Sequence, residues 1–407
     1  MSTATVVGGG PAGLMAAEVL ARAGVAVTVY DRKPSVGRKF MLAGHGGLNI
    51  THSEDRDAFV ARYGSSAGRL SPMLDAFSPQ DLVDWCAELG QPTMIGSSGR
   101  VFPQAFRTAP VLRAWLARLA GLGVTFERRQ QWTGWRGTSL VFSGADVSSD
   151  ITVFALGGAS WPHLGSDGAW VEPFRARGLD VRPLRAANVG VQVGWTSVFA
   201  DRFQGTPLKN VSLTVRGARS IRGDAMVTQT GLEGGPVYAL GSAIREKLDH
   251  ERRCVIAVDL RPDVSLDRLT ERLMQRRPKA SAADWLRRSA GLEPVAISLL
   301  RESQGGPLPS DPATVATLIK AVPVVVTGTQ PIARAISTAG GIAWSEVDEN
   351  LMLRQLPGTF VAGEMLDWEA PTGGYLLQAS FSMGVVAAKG ALAWLANGGT
   401  RASASGP

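Results

Sequence analysis

Near the start of the chain stands the stretch TVVGGGPAG, residues Thr5–Gly13. Its apolar, β-prone beginning leads directly into the spacing Gly8-x-Gly10-x-x-Gly13, and helix-forming residues follow it. A glycine-rich turn between a strand and a helix is typical of a dinucleotide-binding βαβ unit. One glycine permits the tight turn, another admits the pyrophosphate, and the third lets helix and strand pack closely. The phosphates then lie at the helix N-terminus, where unpaired N–H groups and the helix dipole favour anions.

The next residues complete this unit. Val25–Tyr30 is predicted to form the second strand, and Asp31 ends it, where its carboxylate can accept a hydrogen bond from a ribose hydroxyl. The basic segment 32–39, interpreted as a loop, would lie beside the ribose and pyrophosphate. We therefore predict that the cofactor is bound here by Gly8, Gly10, Pro11, Ala12, Gly13, Asp31, Arg32 and Lys39.

Composition limits the class of protein. The 407 residues are 45% hydrophobic, enough for two or three globular domains, and the net charge is +7. The basic residues are spread out, with no run of five or more, so we expect a solvated surface and no nucleic-acid partner. Cys86 and Cys254 lie far apart in the sequence. This spacing excludes a disulfide scaffold, a cysteine-type metal site and a dithiol relay, and we predict no metal.

Two features of the sequence bear on the cellular compartment of the protein. The first strand begins almost at Met1, and no segment has about 18 uninterrupted apolar residues. We expect a cytoplasmic protein without a membrane partner.

Two further segments are expected at the cofactor. Residues 40–51 hold three glycines in four positions, typical of a loop against a flat ligand, and Asn49 lies in this loop. The apolar strand from Ile151 ends in a glycine pair, and the carboxyl end of such a strand faces ligands. Ala155, Gly157 and Gly158 are therefore predicted to bind the cofactor.

Two histidines are candidates for acid–base catalysis. His45 lies in the glycine-rich loop and His163 follows the glycine pair. Either is equally compatible with an ordinary loop role, so the catalytic residue stays open.

The middle of the chain has a different pattern. Short alternating segments from about residue 187 predict a small antiparallel sheet or barrel, with 228–236 as a loop between strands. A cluster of short helices is predicted over about 263–321. We predict an inserted domain at 187–335 between two parts of a cofactor domain, 1–186 and 336–397, with a flexible tail at 398–407.

The last part of the cofactor domain contains a strand that runs into Gly363-Glu364, and Gly373-Gly374-Tyr375 opens a final helix. Elements so far from the first fingerprint suit FAD better than NAD, because FAD is long. Glu364 can hold ribityl hydroxyls, and N–H groups near Gly373, Gly374 and Tyr375 can face the flavin, whose charge on reduction a helix N-terminus stabilises.

Four segments together resemble a known family. They are residues 8–17, 37–51, 338–342 and 362–379, and they resemble the aminoacetone-oxidase-type (BaiN-like) FAD-dependent oxidoreductases. The resemblance implies a Rossmann-type, glutathione-reductase-like FAD-binding domain that is discontinuous and interrupted by an antiparallel β-barrel-like domain with a helical subdomain. It also implies redox chemistry on a small organic molecule, since family members are linked to aminoacetone oxidation with oxygen or to reduction steps in bile-acid metabolism.

The glycine-rich loop departs from the family pattern Gly-Gly-Gly-Arg-Cys-Asn. His45 replaces a glycine, Gly47 stands at the basic position and Leu48 at the cysteine, whereas Asn49 and Thr51 are kept. A role that depends on the Arg-Cys pair therefore does not transfer to this chain.

The sequence predicts an FAD-dependent oxidoreductase that acts on a small organic substrate. NAD(P)H, bound transiently as donor, or molecular oxygen would be the electron partner, because no second nucleotide fingerprint is present. The alternatives are a flavoenzyme that modifies RNA, a non-enzymatic flavin sensor or docking module, and a purely NAD-binding protein. The oligomeric state stays open.

Overall fold

A computed structural model describes residues 1–43, 47–277 and 279–399. The chain forms two compact units: unit 1 holds residues 1–185 and the segment from 336 onward, and unit 2 holds residues 186–335.

The strands up to residue 187 are β1 Thr3–Val7, β2 Ala26–Asp31, β3 Thr51–His52, β4 Thr93–Ile95, β5 Arg100–Pro103, β6 Thr125–Arg128, β7 Trp132–Arg136, β8 Ser139–Phe142, β9 Asp146–Val147, β10 Ile151–Phe154 and β11 Val181–Ala187. The helices in the same part are α1 Pro11–Arg22, α2 Arg38–Ala43, α3 Arg56–Ala61, α4 Ala67–Ala76, α5 Pro79–Glu88, α6 Thr108–Gly121 and α7 Val171–Ala176.

The remaining strands are β12 Val191–Val193, β13 Pro207–Val215, β14 Ile221–Thr228, β15 Gly231–Glu233, β16 Cys254–Asp259, β17 Val322–Thr329, β18 Ser337–Ile342 and β19 Thr359–Val361. The remaining helices are α8 Ser197–Phe203, α9 Gly235–Ala239, α10 Gly241–Glu251, α11 Leu266–Met274, α12 Ala282–Ala290, α13 Pro294–Gln304, α14 Pro312–Lys320 and α15 Tyr375–Ala396.

The core of unit 1 is a parallel sheet with the strand order β19-β10-β1-β2-β6. All four residues of β10 and four of the five in β1 are buried, as expected for central strands covered on both faces. The last segment contributes β19 to the edge of a sheet that the first segment builds, so the cofactor domain is discontinuous. The predicted Rossmann-type fold is confirmed.

Helix α15 lies against α1 in the core of unit 1. The approach is so close that a methyl group on Gly384 would lie 2.4 Å from the carbonyl oxygen of Ala12. By length and composition α15 could cross a membrane, but 61% of its apolar window is buried inside the structure. Packing in this core accounts for its apolar character.

Unit 2 contains a closed barrel with the order β12-β15-β14-β13-β16-β17, in which every neighbouring pair is antiparallel. Helices α11–α14 precede the last barrel strand, β17. The barrel and the helical region are therefore confirmed.

Two local predictions are wrong. Residues 228–236, expected as a loop, contain β15 and the start of α9, because Gly231 allows its backbone to approach Val191 within the barrel. The basic loop 32–39 ends earlier than expected, because Arg38 and Lys39 begin α2. Helix α5 begins with a reciprocal capping box formed by Ser78 and Asp81.

Candidate cofactor site

A cleft opens at the carboxyl ends of β1, β2, β10 and β19, where ligands bind in open parallel sheets. It brings together residues from the N-terminal fingerprint, the β10 turn and the C-terminal segment. The predicted site residues that line it are Gly8, Gly10, Pro11, Ala12, Asp31, Arg32, Lys39, Ala155, Gly157, Gly363 and Glu364.

The three fingerprint glycines differ in whether the fold itself requires them. Gly8 has φ +108°, and a methyl group there would lie 2.3 Å from the carbonyl oxygen of Ala155. At Gly13 a methyl group would lie 2.0 Å from the carbonyl oxygen of Gly8, so these two glycines are required by backbone packing. Gly10 differs, because a methyl group there meets no protein atom within 4 Å and would project into the cleft that Gly10 lines. The fold alone therefore does not require glycine at this position.

The carboxylate of Asp31 is held in place by the backbone. One oxygen accepts a hydrogen bond from the N–H of Gly9 at 2.9 Å and the other from the N–H of Lys33 at 2.7 Å. Burial raises the pKa of Asp31 despite these bonds. Arg32 turns to Asp167, with 2.5 Å between the guanidinium and the carboxylate.

Lys39 and Glu364 form an ion pair across 325 residues of sequence. The ammonium of Lys39 lies 2.5 Å from one carboxylate oxygen of Glu364 and donates to the hydroxyl of Ser160 at 2.7 Å. The other oxygen of Glu364 accepts from the N–H of Thr338 at 3.1 Å. This pair joins the first and last segments of unit 1 on the wall of the cleft.

Four polar atoms in the cleft wall are buried and have no hydrogen-bond partner among the described residues. They are Arg38 Nε, Gln130 Oε1, Trp132 Nε1 and Ser166 Oγ. Buried polar groups are nearly always hydrogen-bonded, so this set fits a cleft shaped for a polar ligand. The sequence analysis did not identify these residues, because no motif marks them.

A second region lies around the start of α15, and its residues do not line the cleft just described. A methyl group on Gly374 would lie 2.6 Å from the Cα of Thr51, so the glycine-rich loop and the helix start are in direct contact. Asn49 Oδ1 and Thr51 Oγ1 are buried there without a partner among the described residues. This region therefore also has free hydrogen-bonding capacity.

The side chain of Tyr375 does not point to an open site. Its hydroxyl donates to Glu54 at 2.5 Å, and Arg62 donates to the other oxygen of Glu54 at 2.6 Å. Tyr63 donates to the backbone carbonyl of Tyr375 at 2.8 Å. Burial raises the pKa of Glu54, but the hydrogen bonds from Arg62 and Tyr375 outweigh it, so that pKa is lowered overall. Burial, and then the bond to Glu54, raise the pKa of Tyr375.

The histidine candidate His163 does not line the cofactor cleft. His163 is exposed, and its ring packs edge-on against Trp161 at 5.6 Å. His45 lies outside the described residues. Gly158 packs against Thr338, where a methyl group would lie 2.2 Å from the threonine hydroxyl. In the described part of the chain, no group of three or more His, Cys, Asp or Glu side chains could hold a metal ion.

The parallel sheet, the glycine turn and the cleft define a Rossmann-type dinucleotide-binding domain. With the family match and the relatives that follow, they identify an FAD-dependent oxidoreductase. The described residues fit FAD, since the cleft has open space at Gly10 and unpaired polar atoms in its wall. Residues 2–390 match the family model described as HI0933-like protein Rossmann domain, and the chain belongs to this family.

Curated relatives match this chain over nearly its full length. A 3-dehydro-bile acid delta(4,6)-reductase of Clostridium scindens is 25% identical and is matched over 96% of this chain and 99% of its own length. A ribosomal RNA dihydrouridine synthase of Escherichia coli is 23% identical over 93% of this chain and 95% of its own length.

A solved structure shares the fold at a TM-score of 0.52. It is the 3-ketosteroid delta1-dehydrogenase from Sterolibacterium denitrificans, 13% identical, which covers 97% of this chain and is itself covered completely.

Proposed function

We propose that this protein transfers electrons between FAD and a small organic substrate, with NAD(P)H as a transient donor or molecular oxygen as acceptor. The observation that carries the proposal is the cleft at the carboxyl ends of the parallel strands, which is open at Gly10 and has buried polar atoms without a partner among the described residues. In our proposal both electron partners come to the flavin by diffusion.

The two cysteines support this proposal. Cys86 and Cys254 are buried free thiols in different units. Burial raises the pKa of Cys86 to about 12 and also raises that of Cys254. Because the thiolate is the reactive form, neither is suited to a dithiol relay. Free thiols also suit a reducing compartment, so we place the protein in the cytoplasm.

FAD supplies the redox chemistry when it is bound, and the chain supplies binding and position. In our proposal the turn at Gly10 and the N-terminus of α1 receive the pyrophosphate. Asp31 would accept a hydrogen bond from the adenosine ribose, and Glu364, oriented by Lys39, would accept from the ribityl hydroxyls. Asn49 and the backbone at Gly374 would hydrogen-bond to the flavin ring.

The curated relatives name two kinds of substrate, a bile acid and a ribosomal RNA. We favour the small molecule, because the residues of unit 1 carry nearly balanced charge, with 22 Lys and Arg against 21 Asp and Glu. A surface of balanced charge gives little attraction for a phosphate backbone.

The test is an anaerobic titration of the purified yellow protein with NADH and with NADPH, followed by a 3-dehydro-bile acid or by air. We expect one nicotinamide to bleach the flavin absorbance and an organic substrate or oxygen to restore it. The Gly10→Val variant, which should lack FAD, controls for reactions that do not need the cofactor.

Two results would contradict the proposal. Flavin that no nicotinamide or organic reductant bleaches would indicate a binding module. Reoxidation that requires ribosomal RNA, and that neither oxygen nor any small acceptor produces, would indicate an RNA-modifying enzyme.

A further inference from the structure

The positive charge of the chain is concentrated in unit 2. Residues 186–335 contain 20 Lys and Arg against 14 Asp and Glu, whereas the rest of the chain is nearly balanced. Most of the net charge of +7 therefore lies outside the unit that carries the cofactor cleft. The flavin chemistry does not account for this charge.

Part of the charge surrounds a cavity in the helical region. The cavity has a volume of about 870 Å³, within the roughly 300–1,000 Å³ typical of small-molecule sites. Its charged lining consists of Arg261, Arg272, Arg277, Lys279 and Arg288, with Asp284 as the one carboxylate among the described residues. Five cations therefore face one acid around a concave surface.

The carboxylate of Asp284 already has partners within the protein. Asp284 accepts a hydrogen bond from the hydroxyl of Ser281 at 2.8 Å, and it also pairs with Arg287, which does not line the cavity. No ion pair forms within the described part of the chain at Arg272, Arg277, Lys279 or Arg288.

One arginine is fixed in position. The Nε of Arg261 donates to the carbonyl oxygen of Ala290 at 2.6 Å, which holds the guanidinium at the cavity wall. The lining also includes two neutral side chains that can donate hydrogen bonds, Gln275 and Ser289. Arginine forks beside hydroxyl and amide donors are a suitable set for phosphoryl oxygens.

We propose that this cavity binds a small molecule through a diphosphate group. Uncompensated like charges repel one another, and an anion with several charges in their midst removes that cost. Two linked phosphoryl groups match five cations better than a single phosphate does, and a concave site suits a compact ligand better than a flat lipid surface. This site is separate from the cofactor cleft and extends the proposed function.

The test is calorimetric titration of the FAD-loaded protein with inorganic pyrophosphate, since FAD then occupies its own pyrophosphate site. The double variant Arg272→Gln/Arg288→Gln should bind pyrophosphate at least tenfold more weakly. The control is Arg268→Gln, which removes the same kind of charge from the same helix, α11, but not from the cavity lining. It should stay within twofold of the parent, and ADP should compete with pyrophosphate.

Three results would overturn the proposal. The first is no pyrophosphate binding by the parent protein at millimolar concentration. The second is equal weakening by Arg268→Gln and by either lining substitution made singly, which would indicate a diffuse charge effect. The third is tight binding of a short RNA that pyrophosphate and ADP do not displace, because the surface would then serve a nucleic acid. The flavin titration is read separately, so its failure and this one are distinguishable.

Discussion

Two glycine-rich turns open helices in unit 1, and their glycines are present for different reasons. In the turn before α1, Gly10 has open space at its Cα and faces the cleft. In the turn before α15, Gly374 has φ +97° and touches the backbone of Thr51, and Gly373 has φ +127° beside the ring of Tyr375. The comparison shows that the fold itself requires glycine at position 374, whereas at position 10 only the cleft gives a reason for it.

The largest effect is expected from Gly10→Val. Its Cβ would enter the space proposed for the pyrophosphate and meet no protein atom within 4 Å, so the protein should fold. It should retain under about a tenth of the parent FAD, since a closely approached turn does not admit a branched side chain. The measurement is the ratio of flavin to protein after purification, with circular dichroism as a check of folding.

The matched control is Gly68→Val, another glycine with no protein atom within 4 Å of an added methyl group, on α4. It should keep full FAD. A yellow Gly10→Val protein would contradict the placement of the pyrophosphate.

The second-largest effect is expected from Gly374→Ala, in the turn before α15. Gly374→Ala should destabilise the protein by at least about 2 kcal/mol even without cofactor, because it combines backbone strain with a clash at Thr51. The measurement is denaturant unfolding of the apoprotein. Unchanged apoprotein stability together with weaker FAD binding would mean that this glycine serves the flavin instead.

A third prediction concerns the ion pair between the two segments. Glu364→Gln keeps the shape but leaves Lys39 without its carboxylate, and a charge-assisted hydrogen bond is worth about 1.5–3 kcal/mol. FAD affinity should fall about tenfold or more, measured by fluorescence of released flavin. Asp367→Gln serves as control, because Asp367 is a carboxylate three residues further on and does not line the cleft. Equal losses of FAD affinity in both variants would show that Glu364 has no specific role in binding FAD.

The smallest effect is expected from Tyr375→Phe. It keeps the ring packing and removes the hydroxyl bond to Glu54, at a cost of about 1 kcal/mol. Glu54 has a lowered pKa, so its contribution to stability is present above the ordinary glutamate pKa of about 4.3 and is lost as the pH falls through the lowered value.

In Tyr375→Phe that pKa should be less depressed, and acid unfolding should begin at a higher pH. The measurement is the unfolding free energy as a function of pH. Identical acid transitions in parent and variant would show that the hydroxyl bond contributes nothing to this end of α15.

Sequence patterns were sufficient where short-range chemistry decides the structure. The fingerprint at Gly8–Gly13 depends on residues a few positions apart, and the strand, turn and helix that it predicts are confirmed. The strand β15 is not predicted by the sequence, because its three residues, Gly231–Glu233, are too few to carry a periodic signal. It exists only through its barrel neighbours.

The residues of the cleft wall could be predicted only in part, because short-range patterns do not show which distant residues meet. Lys39 and Glu364 were each selected from local context, but their pairing over 325 residues follows from the sheet topology alone. Gln130 and Trp132 could not have been selected, since only burial without a partner distinguishes them. Conversely, His163 was a candidate by sequence proximity to Gly158, and it is exposed.

The discontinuity of unit 1 has a consequence during synthesis. The barrel strands and the helices α8–α14 are contiguous in sequence, so this part can close while the rest of the chain is still on the ribosome. The exposed edge of β10 cannot pair so early, because its neighbour β19 is made more than 200 residues later. A nascent chain must therefore carry an open strand edge for about half of its elongation, and slow translation of the last segment should increase its need for chaperones.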